Sequence, residues 1–210
     1  MTKDKILKLG AGKIIVFFDL DNTLYSYLPC HERGLKAAWK SFSGNIDRIP
    51  FKEFSGLYDS ARGEVKKTTR GQAASHSRIL YFQRLLETYC GRTISTETLL
   101  MEAAYWEAYM KKMKLFPWVL PVFNELKMRG TGIGIITDLT ARIQHGKLAE
   151  LGVELYIDFL VTSEEAGAEK PSASIFRLAL KKAGCRASET VFIGDDPAKD
   201  KNSVIPYALL

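Results

Sequence analysis

The chain predicts an α/β fold, a doubly wound parallel sheet interrupted by an all-helical insertion, and three features of the sequence carry that prediction. Ile14-Ile15-Val16-Phe17-Phe18 is an unbroken β-branched and aromatic run, the pattern of a strand buried on both faces of a parallel sheet. From about Leu35 to Met113 the spacing becomes helical: Ile79, Phe82, Leu85, Leu86 and Tyr89 form one apolar stripe, and Leu99, Leu100, Ala103, Tyr105, Trp106 and Tyr109 form another. After Pro117 helix and strand alternate to the end of the chain.

Taken in order, the first strand ends at the acidic Asp19, and the helical segment that follows holds four helices. Val119 to Met128 then reads as a helix stopped by Gly130, and Ile133 to Ile136 as a strand. Arg142 to Leu151 is a helix, Ile157 to Val161 a strand, Ser172 to Ala183 a helix and Thr190 to Ile193 a strand. Four buried strands separated by helices call for right-handed crossovers. The core is assigned to residues 1–26 and 115–210, the helical insertion to 27–114.

A length of 210 residues with 46% hydrophobic and 26% charged content excludes a fibre or a disordered chain. The net charge of +6 is spread among interleaved acids, which reads as a solvated basic surface that draws in phosphorylated substrates and not as a nucleic-acid footprint. Cys30, Cys90 and Cys185 stand far apart and read as reduced, buried thiols. The charged start and the short apolar run after it form neither a signal peptide nor a membrane span, so the expected compartment is the cytoplasm.

Loops leaving the carboxyl ends of parallel strands converge on one crevice. Here those ends carry Asp19-Leu20-Asp21-Asn22-Thr23, Thr137-Asp138, the stretch from Thr162 and Ser163 to Lys170-Pro171, and Gly194-Asp195-Asp196. Asp19 and Asp21, two apart in an extended segment, address one space and demand a cation or a proton between them. Oxygen ligands without His or Cys favour a hard ion, and Mg²⁺ is the choice where phosphate is the other ligand. Lys170 supplies opposite charge: at ~4 Å and an effective dielectric of ~20 a lysine–phosphate pair gains about 4 kcal/mol before desolvation, enough to position a phosphoryl group. Asp19 can serve as the nucleophile, Asp21 as general acid and then base, and the Thr137 hydroxyl as a partner for a phosphate oxygen.

FFDLDNTL, IITD, EKPS and FIGDDPAKD, in this order, resemble the four motifs of the haloacid dehalogenase-like (HAD) hydrolase superfamily. The resemblance implies Asp19 as nucleophile, Asp21 as acid/base, Thr137 as phosphate-binding hydroxyl, Lys170 as charge-stabilising lysine and Asp195 as acidic metal ligand. Mg²⁺ would be held by Asp19, the backbone carbonyl of Asp21 and Asp195, with Asp200 acting behind them. The helical insertion is similar to the α-helical cap of subfamily I, whose closure selects the substrate. A small phosphorylated metabolite is the expected partner of a monomer or homodimer, with no nucleic acid and no membrane. A 2-haloacid dehalogenase and a non-catalytic phosphate-binding protein are the alternatives, the former disfavoured by the second acid at Asp21.

Two departures from the pattern carry expectations. Asp138 stands where many members have Asn, and its charge must turn away from a phosphate or leave the binding to its backbone N–H. The tail Lys201 to Leu210 reads as shortened, which would leave the sheet edge and its apolar face less covered and the fold less stable. Other features have structural readings. Asp196-Pro197 suits a helix start, Gly130-Thr131-Gly132-Ile133-Gly134 precedes its strand and so is a helix stop, and His31, His76 and His145 lack ligand spacing. Thr68-Thr69-Arg70-Gly71-Gln72 with His76 and Arg78 reads either as a turn for an anionic group or as a solvated helix entry. Tyr81, Phe82, Tyr105, Trp106 and Tyr109 read as core.

Overall fold

The computed structural model describes residues 14–202 and 204–209. The backbone divides into two units, one of residues up to Ser26 and from Lys114 onward, the other of Tyr27–Met113. The charged stretch before Ile14 lies outside the described residues.

In the first unit five parallel strands form one sheet in the order β3-β2-β1-β4-β5: β1 Ile15–Phe18, β2 Gly132–Thr137, β3 Phe159–Thr162, β4 Thr190–Gly194 and β5 Tyr207–Leu209. β1 lies in the middle, and the chain winds outward from it in both directions. Phe18, the last residue of β1, is paired with Ile135 on one side and Ile193 on the other, so β2 and β4 run on slightly past it, to Thr137 and Gly194. β1 is buried along its whole length, which matches its all-apolar composition.

Glycine in β2 has a packing reason. A Cβ at Gly134 would run into the Phe17 ring, so the residue that weakens the strand in isolation is the one that lets a large aromatic lie beside it. On one layer Ile15, Phe17, Ile136, Val161 and Phe192 pack against Ile175, Phe176, Ala179 and Ala183 of the helix Ala173–Ala183. The expectation of four strands is corrected here. The tail contributes β5, paired in parallel with β4 through Phe192–Tyr207 to Gly194–Leu209, and Ile205 enters the core cluster at 2% exposure. The expected thinly covered apolar face is therefore filled, because Ile205 and Tyr207 supply the apolar surface that Phe192 needs.

Labelled in chain order, the helices are α1 Tyr27–Asn45, α2 Phe51–Thr68, α3 Arg78–Cys90, α4 Ser95–Met110, α5 Val119–Met128, α6 Ala141–Glu150, α7 Ser163–Ala166, α8 Ala173–Ala183 and α9 Pro197–Asp200. The second unit consists of α1 to α4. Its stripes are shifted from those read in the sequence: Ile79, Leu99 and Leu100 are exposed, whereas Thr98, Met101, Tyr105 and Tyr109 form the buried face of α4. Tyr105 decides the matter, because its ring lies against Gly34 of α1, where any Cβ would be within 2.9 Å of it. Tyr81, Phe82 and Trp106 are core, as expected. α3 begins at the N-cap Ser77 and ends at Gly91 in the left-handed region, φ 69°.

All three cysteines are free, but only Cys30 is buried; Cys90 and Cys185 are half-buried. No helix among the described residues is long and apolar enough to cross a membrane.

Candidate active site

Asp19 follows β1 directly, and its backbone N–H donates to the Ile193 carbonyl of β4 at 2.8 Å, so the sheet itself fixes where the residue starts. Its side chain is buried. One carboxylate oxygen accepts from Lys170 Nζ at 2.6 Å and the other from the Thr23 hydroxyl at 3.2 Å. The same hydroxyl lies 3.3 Å from Asp195 Oδ1, at the end of β4. Lys170 Nζ also donates to Asp200 Oδ1 at 2.7 Å, and the second oxygen of Asp200 accepts from the Asp196 backbone N–H at 3.0 Å. Residues separated by up to 181 positions thus meet at the carboxyl ends of β1 and β4, where the winding of the sheet reverses direction.

Carboxylate oxygens of Asp19, Asp195 and Asp200 all lie within 4.8 Å of one another. Against these acids stands the ammonium of Lys170. Burial alone would lower its pKa, but Asp19, Asp138 and Asp200 more than reverse this, so it stays protonated above the ordinary lysine range. Burial pushes the Asp19 carboxyl up to about 7; Lys170 opposes that rise and Asp200 adds to it. Asp195 is also raised, by burial and then by Asp200. Burial first, and the neighbouring acid Asp200 after it, leave Asp19 and Asp195 with raised proton affinity in spite of the Lys170 ammonium. An all-oxygen donor set with excess charge and no His or Cys suits a hard divalent cation.

Asp21 is held differently. Lys147 Nζ, fully buried on α6, chelates its carboxylate at 2.6 and 2.8 Å, and the Tyr25 hydroxyl donates to Oδ1. Lys147 also lies 5.9 Å from the centre of the Tyr25 ring. The Asp21 side chain is not part of the carboxylate cluster. Sequence reasoning missed Lys147. The signal was present: Gln144, Lys147 and Leu148 share the inward face of α6, with polar residues where an amphipathic helix carries apolar ones.

The Thr137 hydroxyl, buried at the end of β2, accepts from Gln144 Nε2 at 2.6 Å. The extra acid Asp138 is engaged with backbone, accepting from the Lys170 N–H at 2.9 Å, which ties the loop carrying Lys170 to the end of β2. Between the two loops Leu139 adopts φ 101°, a strained conformation for a branched side chain. Its N–H donates to Ser163 Oγ at 2.8 Å, which holds the strained turn. Asp196 is the N-cap of α9 with Pro197 in the first turn, as its sequence suggested. No histidine joins an acidic or cysteine cluster of metal-ligand type among the described residues.

The fold thus brings together a buried carboxylate at the end of a central strand, a lysine on it and further acids around it. The sequence pattern of haloacid dehalogenase-like hydrolases matches residues 15–201, and the chain belongs to that family. It is 44% identical to a ribulose-1,5-bisphosphate 5-phosphatase of Halopiger xanaduensis, over 88% of this chain and 77% of that protein. It is 29% identical to a glyceraldehyde 3-phosphate phosphatase of Methanocaldococcus jannaschii, over 88% of this chain and 77% of that one. The HAD-hydrolase YfnB of Bacillus subtilis, in a structure bound to magnesium, superposes with a TM-score of 0.66 at 18% identity, covering 90% of this chain and 82% of its own.

Proposed function

We propose that this chain is a Mg²⁺-dependent phosphohydrolase of small phosphorylated metabolites that works through an aspartyl-phosphate on Asp19. The observation that carries this reading is the carboxylate cluster of Asp19, Asp195 and Asp200 with Lys170 bridging Asp19 and Asp200. The phosphatases named among its relatives support the reaction class. Mg²⁺, held by Asp19, the Asp21 carbonyl and Asp195, would supply the positive charge that the cluster lacks.

In the first step an Asp19 oxygen bonds to phosphorus, the ester P–O bond breaks, and the departing alkoxide takes a proton from Asp21. In the second, water bonds to phosphorus and gives its proton to Asp21, and the acyl-phosphate bond breaks to return the Asp19 carboxylate and inorganic phosphate. Lys170 keeps Asp19 aimed and offsets charge on the phosphoryl oxygens. The Thr137 hydroxyl turns from Gln144 to a phosphoryl oxygen. Residues 27–114 act as the cap that selects the leaving group.

Hydrolysis of p-nitrophenyl phosphate with and without Mg²⁺, by the wild type and by Asp19→Asn, tests the reading. Activity that needs the ion and is abolished in the variant is the expected result; equal turnover by both proteins sinks it. Halide release from 2-haloacids is expected to be absent.

A further inference from the structure

Gln144, near the start of α6, is wholly buried in the α/β unit. Its Nε2 donates twice, to the Thr137 hydroxyl oxygen at 2.6 Å and to the Asp138 carbonyl at 2.5 Å. The second bond fixes the direction of the first. A carbonyl can only accept, so the end of the amide that faces Asp138 must be its NH2 end, since the reverse orientation would set two acceptors against each other. Pinned in this way by the backbone, the NH2 group can only donate to Thr137, and the hydroxyl oxygen must accept.

A hydroxyl on its own both donates and accepts, and its proton rotates to suit its surroundings. Thr137 is more constrained. One of its lone pairs is held by Gln144, and among the described residues its own proton has the Asp138 carbonyl as acceptor at 3.4 Å, well beyond the length of a strong O–H···O bond. Such a hydroxyl is a donor set in advance for a group that only accepts, as a phosphoryl oxygen does. Rotation about Cβ–Oγ moves only the proton, so the oxygen can go on accepting from Gln144 as Thr137 turns to phosphate.

The other atom of the amide speaks against a packing role. Gln144 Oε1 is buried without a hydrogen-bond partner, a cost to the fold that a methionine of similar length would not carry. The presence of the amide is explained by what Nε2 does.

We propose that Gln144 is a positioning residue of the phosphate site: its donation to Thr137 makes that hydroxyl a dedicated donor to the phosphoryl group. This rests on the hydrolase reading above.

The test is a double-mutant cycle on p-nitrophenyl phosphate hydrolysis with wild type, Thr137→Val, Gln144→Met and the double variant. Thr137→Val is expected to lower kcat/KM roughly 10- to 100-fold, the worth of a hydrogen bond to a charged group, and Gln144→Met roughly 10-fold. Because Gln144 acts through Thr137, the double variant should be no worse than Thr137→Val alone. Gln144→Met should hold or raise Tm, which a residue kept for packing would lower. Gln144→Glu keeps the shape but can only accept when ionised; Thr137 would then donate to it, and the loss should exceed that of Gln144→Met. Losses that multiply in the double variant, or wild-type turnover in either Gln144 variant, overturn the proposal. The rise in Tm with inorganic phosphate runs the same cycle without turnover. A rise reduced alike in Thr137→Val, Gln144→Met and the double variant supports the proposal, and one undiminished in Gln144→Met overturns it. Absence of hydrolysis by the wild type, with that pattern of phosphate binding intact, marks failure of the hydrolase reading alone; absence of both overturns the two together.

Discussion

Lys147 grips the Asp21 carboxylate with two contacts, 2.6 and 2.8 Å, from a position where its own residue is wholly buried. The side chain proposed as the acid/base is thereby fixed by a residue of α6, 126 positions away in sequence. Lys147→Met leaves the apolar stem and removes the clamp. We expect kcat to fall by roughly 10- to 100-fold, part of the range that positioned acid–base catalysis contributes. The fall should be steeper for alkyl phosphates, whose alkoxide needs a proton, than for p-nitrophenyl phosphate, whose leaving group needs little help. Equal losses on both would place Lys147 outside proton transfer.

The proposed ion binding at Asp19 is linked to pH. Burial holds its pKa at about 7 in the ion-free fold, against 3.8 for a free aspartate, so the folded chain binds a proton that the unfolded chain has shed. That contribution is fully present below about pH 4 and is lost as pH rises through 7. Mg²⁺ bound at Asp19 as proposed would compete with the same proton. The rise in Tm on adding Mg²⁺ should accordingly be larger at pH 8 than at pH 6, as read by thermal denaturation with and without a chelator. A rise independent of pH would place the ion elsewhere.

His31 gives an acid limb of stability. Burial, then Arg78 and Arg62, lower its pKa from 6.5 to about 4. Its folded-state value lies below the unfolded one, so protonation favours unfolding, and stability is lost as pH falls from about 6.5 through 4. At the low end the loss is about 3 kcal/mol. His31→Gln should flatten the urea-denaturation stability profile over that interval by this amount, and an unchanged profile would remove His31 from the account.

Gly194 is expected to tolerate no side chain. A Cβ there would collide with the Asp200 carboxylate, whose position holds Lys170. Gly194→Ala should cost about 1–3 kcal/mol, as overpacking does, and should lower kcat by misplacing Lys170. Asp200→Asn keeps the shape and serves as the control that separates packing from charge.

The strands and the helices of the α/β unit were legible because their signals are local. Val119–Met128 matches its predicted span, Asp19 and Asp195 stand at strand ends where apolar runs stop, and Lys170 lies in the loop between α7 and α8. Their meeting could be foreseen because loops leaving the carboxyl ends of parallel strands converge on one crevice. Lys147 was not legible in the same way, since a lysine on a helix usually lies in water and only tertiary packing turned this one inward. β5 escaped for a similar reason: Tyr207–Leu209 is too short to show a period, and its existence depends on the edge of β4. In the helical unit the stripe was misplaced because leucines outweigh tyrosines on hydrophobicity alone, whereas Tyr105 wins by fitting the gap at Gly34.

β1 is hydrogen-bonded along both flanks, to β2 and to β4. Its amide protons can reach solvent only when the middle of the sheet separates, so Val16 to Phe18 should be among the last in the molecule to exchange with deuterium. The segment that leads into Asp19 therefore cannot breathe on its own, and slow exchange there would report the stability of the whole α/β unit.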